Sequence, residues 1–361
     1  MRRKQVGRIL LAVLAGVLIL PLVWVASATT GAERLQRLAE LTGYRLRGSN
    51  FDPVDGETKG VFRGSPSHVT LTGQIYHDLI VAQQWGQRVS RLDTAGSVVW
   101  SVKTSLPVVG AELFDDHLVV ATLDRVIALA PENGRQVWER MIDFTPSGLG
   151  RATGAAILLP PAAEAAPLAV SSADGETSTL PVLPLGMARH LIVRDNEIII
   201  ARTFDHQVTR TGTDGSPINS IDSYFPNYVQ VLDGDTIAVA EEHANRIVRV
   251  SFSTGARTSF ASCAHPLFAD TTTTPATIVA RQARTATSTR GVNAPRSLCD
   301  SRVQSDAIYS PNGFHVVDQR YIYVADTDNH RIVLFDVNTG NRIGTLTGFN
   351  NPIRVIAIQP K

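Results

Sequence analysis

Beyond residue 66 the chain is a string of short apolar runs, each cut by Gly, Asp, Asn or Pro, as strands joined by tight turns would be. The runs repeat. An aliphatic residue followed by Ala occurs at Val81-Ala82, Val120-Ala121, Ile200-Ala201, Val239-Ala240, Val279-Ala280 and Val324-Ala325, and Leu159-Pro160 stands midway in the one doubled interval. Pro107, Pro146, Pro226, Pro266 and Pro311 each stand the same distance ahead of one of these pairs. Pro66 and Pro184 stand slightly further ahead of theirs, and Pro352 opens a truncated last unit. Two independent markers in one phase, with a period of about 40 residues, predict a repeat architecture.

The clearest units are PNYVQVLDGDTIAVAEEHANRIVRVSFSTG (226–255) and PNGFHVVDQRYIYVADTDNHRIVLFDVNTG (311–340), which align without a gap. The second predicts strands over 313–318, 321–326, 331–336 and 342–347. Four strands in about 40 residues, repeated, are the mark of a β-propeller blade. The expected fold is therefore all-β, a propeller of four-stranded blades. This phasing gives seven, or six if one of two degenerate units is an insertion: 146–183, rich in Ala and Pro, or 266–306, rich in Thr and Ala. Ile332 and Leu334 in RIVLFDV cannot both face water, so blades should stack face to face. The Ala after each aliphatic residue suits the crowded space between stacked sheets. The last run, PIRVIAI (352–358), reads as an opening strand with no blade behind it, expected to pair with the first blade and close the ring.

The N-terminus is of another kind. Residues 9–32 carry no charge, and as a helix they would span roughly 36 Å, more than the about 30 Å of a hydrocarbon core. Arg2, Arg3, Lys4 and Arg8 ahead of them predict a cytoplasmic segment 1–8 and an exported bulk. Ala26-Ser27-Ala28 fits a cleavage site, so an uncleaved transmembrane anchor and a signal peptide both stay open; the length of the run favours the anchor. The expected location is a bacterial inner membrane, with the bulk facing the periplasm or the cell exterior, or secretion if the segment is cleaved. Residues 33–65 read as a turn-rich stem and 66–361 as the propeller.

In an oxidising compartment Cys263 and Cys299 are expected to form a disulfide, closing a loop worth about 4 kcal/mol. Net charge is +1, and the four basic residues before residue 9 leave the remainder at −3. With no Lys/Arg stripe in that remainder, nucleic acid is not an expected partner.

SPNGFHVVDQRYIYVADTDNHRIVLFD (310–336) resembles the NHL repeat, with Asn329, His330 and Arg331 at its signature corner. The unit at 226–255 has Ala244, Asn245 and Arg246 there and departs at the His. IYVAD, VNTG and LTGFNNPIRVIAI also resemble the YVTN-type repeat of exported propellers. GSVVW (96–100) and GRQVW (134–138) resemble the tryptophan-bearing blades of quinoprotein-type propellers. These resemblances imply a propeller and leave function open, because such propellers host lyases, lactonases, receptors and scaffolds.

The corner residues Asp326, Asp328, His330 and Arg331, with their counterparts Glu241, His243, Arg246, Asp205 and His206, form the candidate binding face. Repeat symmetry should put them on one face of the ring. The competing reading is structural: Asp and Asn turn the chain and Arg satisfies carbonyls. Recurrence of the same residue types at each corner favours that reading. The resemblance to NHL enzymes of the amidating-lyase type implies a channel zinc held by His from separate blades, with His190, His265 and His315 as candidates.

Trp100 and Trp138 are expected to pack on the outer strands and not to hold a quinone. Tyr224, Phe225 and Tyr228 in DSYFPNYVQ mark a blade junction, either core or contact surface. No nucleophile elbow, phosphate loop or reactive-Cys setting appears. The chain therefore reads first as a membrane-anchored binding or scaffolding ectodomain without a cofactor, taking a protein or small ligand on one ring face. The alternatives are a hydrolase or lyase at the channel, with zinc or calcium, and an envelope assembly factor.

Overall fold

The computed structural model describes residues 69–161, 165–180, 185–262, 308–338 and 341–359, and the backbone of a hairpin, β1 (Tyr44–Arg47) with β2 (Asn50–Pro53). Residues 9–32, Cys263, Cys299, His265 and the unit at 266–306 lie outside the described residues. Among the described residues no helix is long and apolar enough to cross a membrane.

After β3 (Thr70–Gly73) come β4 (Asp78–Gln83), β5 (Arg88–Leu92) and β6 (Val98–Lys103), then β7 (Val108–Leu113), β8 (Leu118–Thr122), β9 (Arg125–Leu129) and β10 (Gln136–Met141). The next unit is β11 (Gly148–Ala152), β12 (Ala155–Leu159), β13 (Leu168–Ser171) and β14 (Thr177–Thr179). Then follow β15 (Ala188–Arg194), β16 (Glu197–Arg202), β17 (Gln207–Gly212) and β18 (Pro217–Asp222). They lead to β19 (Pro226–Val231), β20 (Thr236–Glu241), β21 (Arg246–Ser251) and β22 (Arg257–Ser262). The last four-stranded unit is β23 (Pro311–Val317), β24 (Tyr321–Asp326), β25 (Arg331–Asp336) and β26 (Arg342–Thr347), and β27 (Pro352–Ile358) is the last described strand.

The described strands form four-stranded antiparallel units: β7–β10, β11–β14, β15–β18, β19–β22, β23–β26, and a composite of β27 with β4–β6. This is a β-propeller. The strands expected at 321–326, 331–336 and 342–347 fall where the sequence puts them, and the one expected at 313–318 runs from Pro311 to Val317. The degenerate unit at 146–183 is a full blade.

The innermost strands β27, β7, β11, β15, β19 and β23 each touch the next, and β23 meets β27 again. Two pairings join the first described strands of the propeller to the last. β27 pairs antiparallel with β4, as the lone opening strand predicted, and β3 adds a fifth strand outside β26.

The aliphatic–Ala pairs lie at the ends of the second strands, and Val81, Ala82, Val120, Ala121, Ile200, Ala201, Val239, Ala240, Val324 and Ala325 are all fully buried. Each second strand is sandwiched between neighbouring blades. Its side chains alternate between two interblade cores: Val324 packs toward β20 and β21, whereas Ala325 packs toward β4 and β27. This is the face-to-face stacking that RIVLFDV required, since period-two alternation with both faces apolar leaves no wet side.

Candidate functional site

The repeated corner sits between the second and third strands of a blade. At three corners a single 3-10 turn (Thr203–Asp205, Glu242–Ala244, Thr327–Asn329) ends on a left-handed residue, His206, Asn245 or His330. Each of these side chains accepts the backbone N–H of the residue just before the next inner strand. Phe225 donates to His206 Nδ1 at 3.3 Å, Ser310 to Asn245 Oδ1 at 2.7 Å and Asn351 to His330 Nδ1 at 3.1 Å. Phe225, Ser310 and Asn351 are themselves left-handed. The corner is a clasp between blades.

The charged corner residues serve the same end. Asp326 is fully buried; its carboxylate takes the Arg331 Nε–H at 2.6 Å and the Tyr309 N–H at 2.6 Å. Glu241 is fully buried between Arg246 (2.5 Å) and Arg257 (3.1 Å) and accepts the Ser223 hydroxyl. Burial raises the Asp326 carboxyl despite Arg331. Burial pushes Glu241 the same way, but two arginines and Ser223 outweigh it and hold that carboxyl low. Asp205 pairs with Arg202 at 2.6 Å. Of the corner residues singled out from sequence, His243 lies in a cleft.

The channel end of that cleft holds a network in which the sequence had singled out His190 and Tyr228 but not Glu112 and Arg354. Glu112 on β7 meets Arg354 Nε on β27 at 3.3 Å, His190 Nε2 on β15 at 3.4 Å and the Tyr228 hydroxyl on β19, which donates at 3.3 Å. Arg354 lies over the Tyr228 ring, 4.1 Å from its centroid, and donates to Phe314 O at 2.5 Å and Val355 O at 2.8 Å. All of these side chains are buried. Burial alone would raise the Glu112 carboxyl; Arg354 and His190 outweigh it and hold it down at about 2. Burial pushes the Tyr228 phenol up and His190 down. The Val229 N–H points at His190 Nδ1 from 3.4 Å.

His315 on β23 accepts the Ala357 N–H at 2.8 Å, and burial and Arg354 push it down to about 3. Among the described residues no three His, Cys, Asp or Glu side chains group as metal ligands. The sequence signal for the network was present: Glu112 and Arg354 are lone charges in the apolar strands VVGAEL and PIRVIAI.

Above this floor the cleft encloses about 220 Å³, and its walls include Phe204, Phe225, Asn227, Glu242, His243 and Arg189. Phe204 is 43% exposed and packs edge-on to Phe225 at 5.3 Å, and Phe225 stacks on His243 at 3.8 Å. The FPNY junction is thus part core and part cleft wall.

Trp100 and Trp138 pack as expected. The Trp100 Nε1–H donates to Pro131 O at 2.9 Å, and the Trp138 Nε1–H to Ser172 O at 3.1 Å, each in the next blade. Each indole covers a glycine of that blade, Gly134 and Gly175, where a Cβ would lie 2.8 Å from the ring.

A family model described as the outer membrane protein assembly factor BamB, of PQQ_2 type, matches residues 53–178, the stretch that holds both tryptophan docks. No curated protein is detectably similar to the chain in sequence. Among solved structures, a protein of unknown function from Bacteroides caccae is 13% identical, covering 80% of this chain and 100% of that one with a TM-score of 0.53. A chain of a nidogen/laminin complex is 10% identical over 78% and 99%, TM-score 0.53. A functionally unknown protein from Desulfotomaculum acetoxidans is 14% identical over 79% and 100%, TM-score 0.51. At such identities the likeness is one of fold. It is to β-propeller repeats in general and does not single out the NHL or YVTN type.

Proposed function

We propose that this chain is a binding and scaffolding propeller of the cell envelope, anchored by residues 9–32, with its bulk exported and a partner engaged at the corner-side mouth of the channel. One observation carries the reading. The inner-strand groups Glu112, Arg354, His190 and Tyr228 are turned on one another, while the accessible wall above them presents Phe204, Phe225 and His243. Buried groups turned on one another make a floor; an aromatic wall carrying an exposed ring, Phe204, makes a contact surface. The similarity of 53–178 to the assembly-factor model supports a role in building the envelope. We further propose a ring of six blades, with 263–307 inserted between β22 and β23. Contacts between β19 and β23 support this, among them the Gln230 side chain bonded to both backbone groups of Val316.

The test is site-specific photocrosslinking of the full chain in its native membrane. A photoreactive residue at Phe204 should give one defined adduct, and one at Ile218, 51% exposed on β18, should not. Equal patterns from both positions, or none from Phe204, would overturn the reading.

A further inference from the structure

The three clasps are not identical. The first residue of the short turn is Thr203, Glu242 or Thr327. The two threonine hydroxyls donate to the carbonyl of the proline that opens the next inner strand, Thr203 to Pro226 at 2.7 Å and Thr327 to Pro352 at 2.8 Å. Glu242 stands where the repeat needs a hydroxyl donor, and as a carboxylate it cannot donate. Its Oε1 accepts the Ser310 hydroxyl at 2.9 Å and its Oε2 the Asn227 amide at 2.6 Å. Glu242 is 7% exposed, and among the described residues no cation pairs with it. A buried carboxylate ordinarily demands one.

A second group at the same wall is short of a partner. Asn227 Nδ2 faces two acceptors, Glu242 Oε2 and Asn312 Oδ1 (2.7 Å), which fixes the orientation of its amide. Its Oδ1 is left without a hydrogen-bond partner although the residue is 6% exposed. Glu242 and Asn227 both line the cleft, beneath Phe204, Phe225 and His243. An anion and an orphan acceptor under an aromatic rim ask for a positively charged N–H donor, with its methylenes against the rings. Two cations stand nearby. Arg354 is already matched by Glu112, and Arg189 is exposed at the rim, where solvent weakens its repulsion.

We propose that the cleft binds an alkylammonium or guanidinium group, held by Glu242 and Asn227 Oδ1. This rests on the reading of the cleft as a contact surface and gives that surface its chemistry. The source is either a free amine or the side chain of a Lys or Arg on a partner.

The test is calorimetric titration of the purified full chain with n-butylammonium, with butyrate as the opposite charge and a capped Gly-Lys-Gly peptide as the second arm. Butylammonium should bind and butyrate should not. Glu242→Gln should weaken binding at least about tenfold, as loss of a charged hydrogen-bond partner does. Phe204→Ala, at an exposed ring, should weaken it about two- to fivefold with an unchanged melt. A peptide that binds at least about tenfold tighter than butylammonium assigns the site to a partner's side chain; equal affinities assign it to free amines.

Butyrate binding as well as butylammonium, or Glu242→Gln and Phe204→Ala both binding like the wild type, would overturn the proposal. Should Glu242→Gln not fold, the opposite-charge pair and Phe204→Ala decide. A Phe204 adduct in cells without ammonium binding removes the cation site and keeps the contact surface, and ammonium binding without the adduct does the reverse.

Discussion

The left-handed residue at each clasp does two jobs at one position: it reverses the chain and reaches the next blade. Asn suits both, since its short amide tolerates that conformation and supplies an acceptor. At Asn245 the two jobs can be separated. Asn245→Gly keeps the turn and loses the acceptor, leaving the buried Ser310 N–H unpaired, at a cost of about 1–3 kcal/mol. Asn245→Ala also strains the backbone, at φ 53°, for about 1 kcal/mol more. Urea unfolding should therefore rank wild type above Gly above Ala, and equal Gly and Ala midpoints would refute the separation.

These residues were legible in the sequence as a recurring type, and in the structure they pair within each corner, Asp326 with Arg331 and Glu241 with Arg246. Glu242 and Asn227 were not. Their meaning appears only when the corners are superposed and one of three threonines turns out to be a carboxylate.

At the scale of the element, the sequence pattern did most of its work in the second strands, where burial from both sides leaves only apolar and small residues admissible. That constraint made period, phase and strand ends readable. It also made the 146–183 unit hard to read, because its Pro- and Ala-rich stretch hides an ordinary AAILL second strand (155–159). The tryptophan docks show a different constraint, exerted between elements. Trp100 on β6 lies flat on Gly134, which has φ 72° and no room for a side chain. Gly134→Ala must move the indole or strain the turn, and a loss of about 2–3 kcal/mol is expected from overpacking plus the left-handed backbone. Melting of this variant beside Gly154→Ala checks it. Gly154 is also left-handed, with open space at its Cβ, so it reports the backbone cost alone. Equal losses would exclude any clash with Trp100.

For the molecule as a whole, the channel network ties the C-terminal strand to three others through one carboxylate. Its pH dependence has a definite sign. The folded Glu112 carboxyl is depressed from 4.5 to about 2, so its contribution is complete above pH 4.5 and fades as pH falls toward 2. Glu112→Gln should be less stable than the wild type near neutrality, and the gap should close by about 3 kcal/mol between those limits. Chemical denaturation at pH 7, 4.5 and 2.5 measures it, and a gap that does not change with pH would contradict the network. His190 and His315, both pushed below the usual imidazole value by burial, add a loss that begins higher, as pH drops through about 6.5.

The closure of the first blade by the last strand has a consequence in time. β4 waits for β27, and Gln83 waits for Asn350, a residue 267 positions later. A chain made from its N-terminus holds β4 with a bare edge until β27 has emerged. A product that stops before β27 lacks Arg354, leaves Glu112 without its guanidinium and exposes a sheet edge to any protease or chaperone that surveys unfinished chains. The ring thus counts its strands: β4 is covered only once β27 has been made, and a chain stopped short of that strand keeps an open edge.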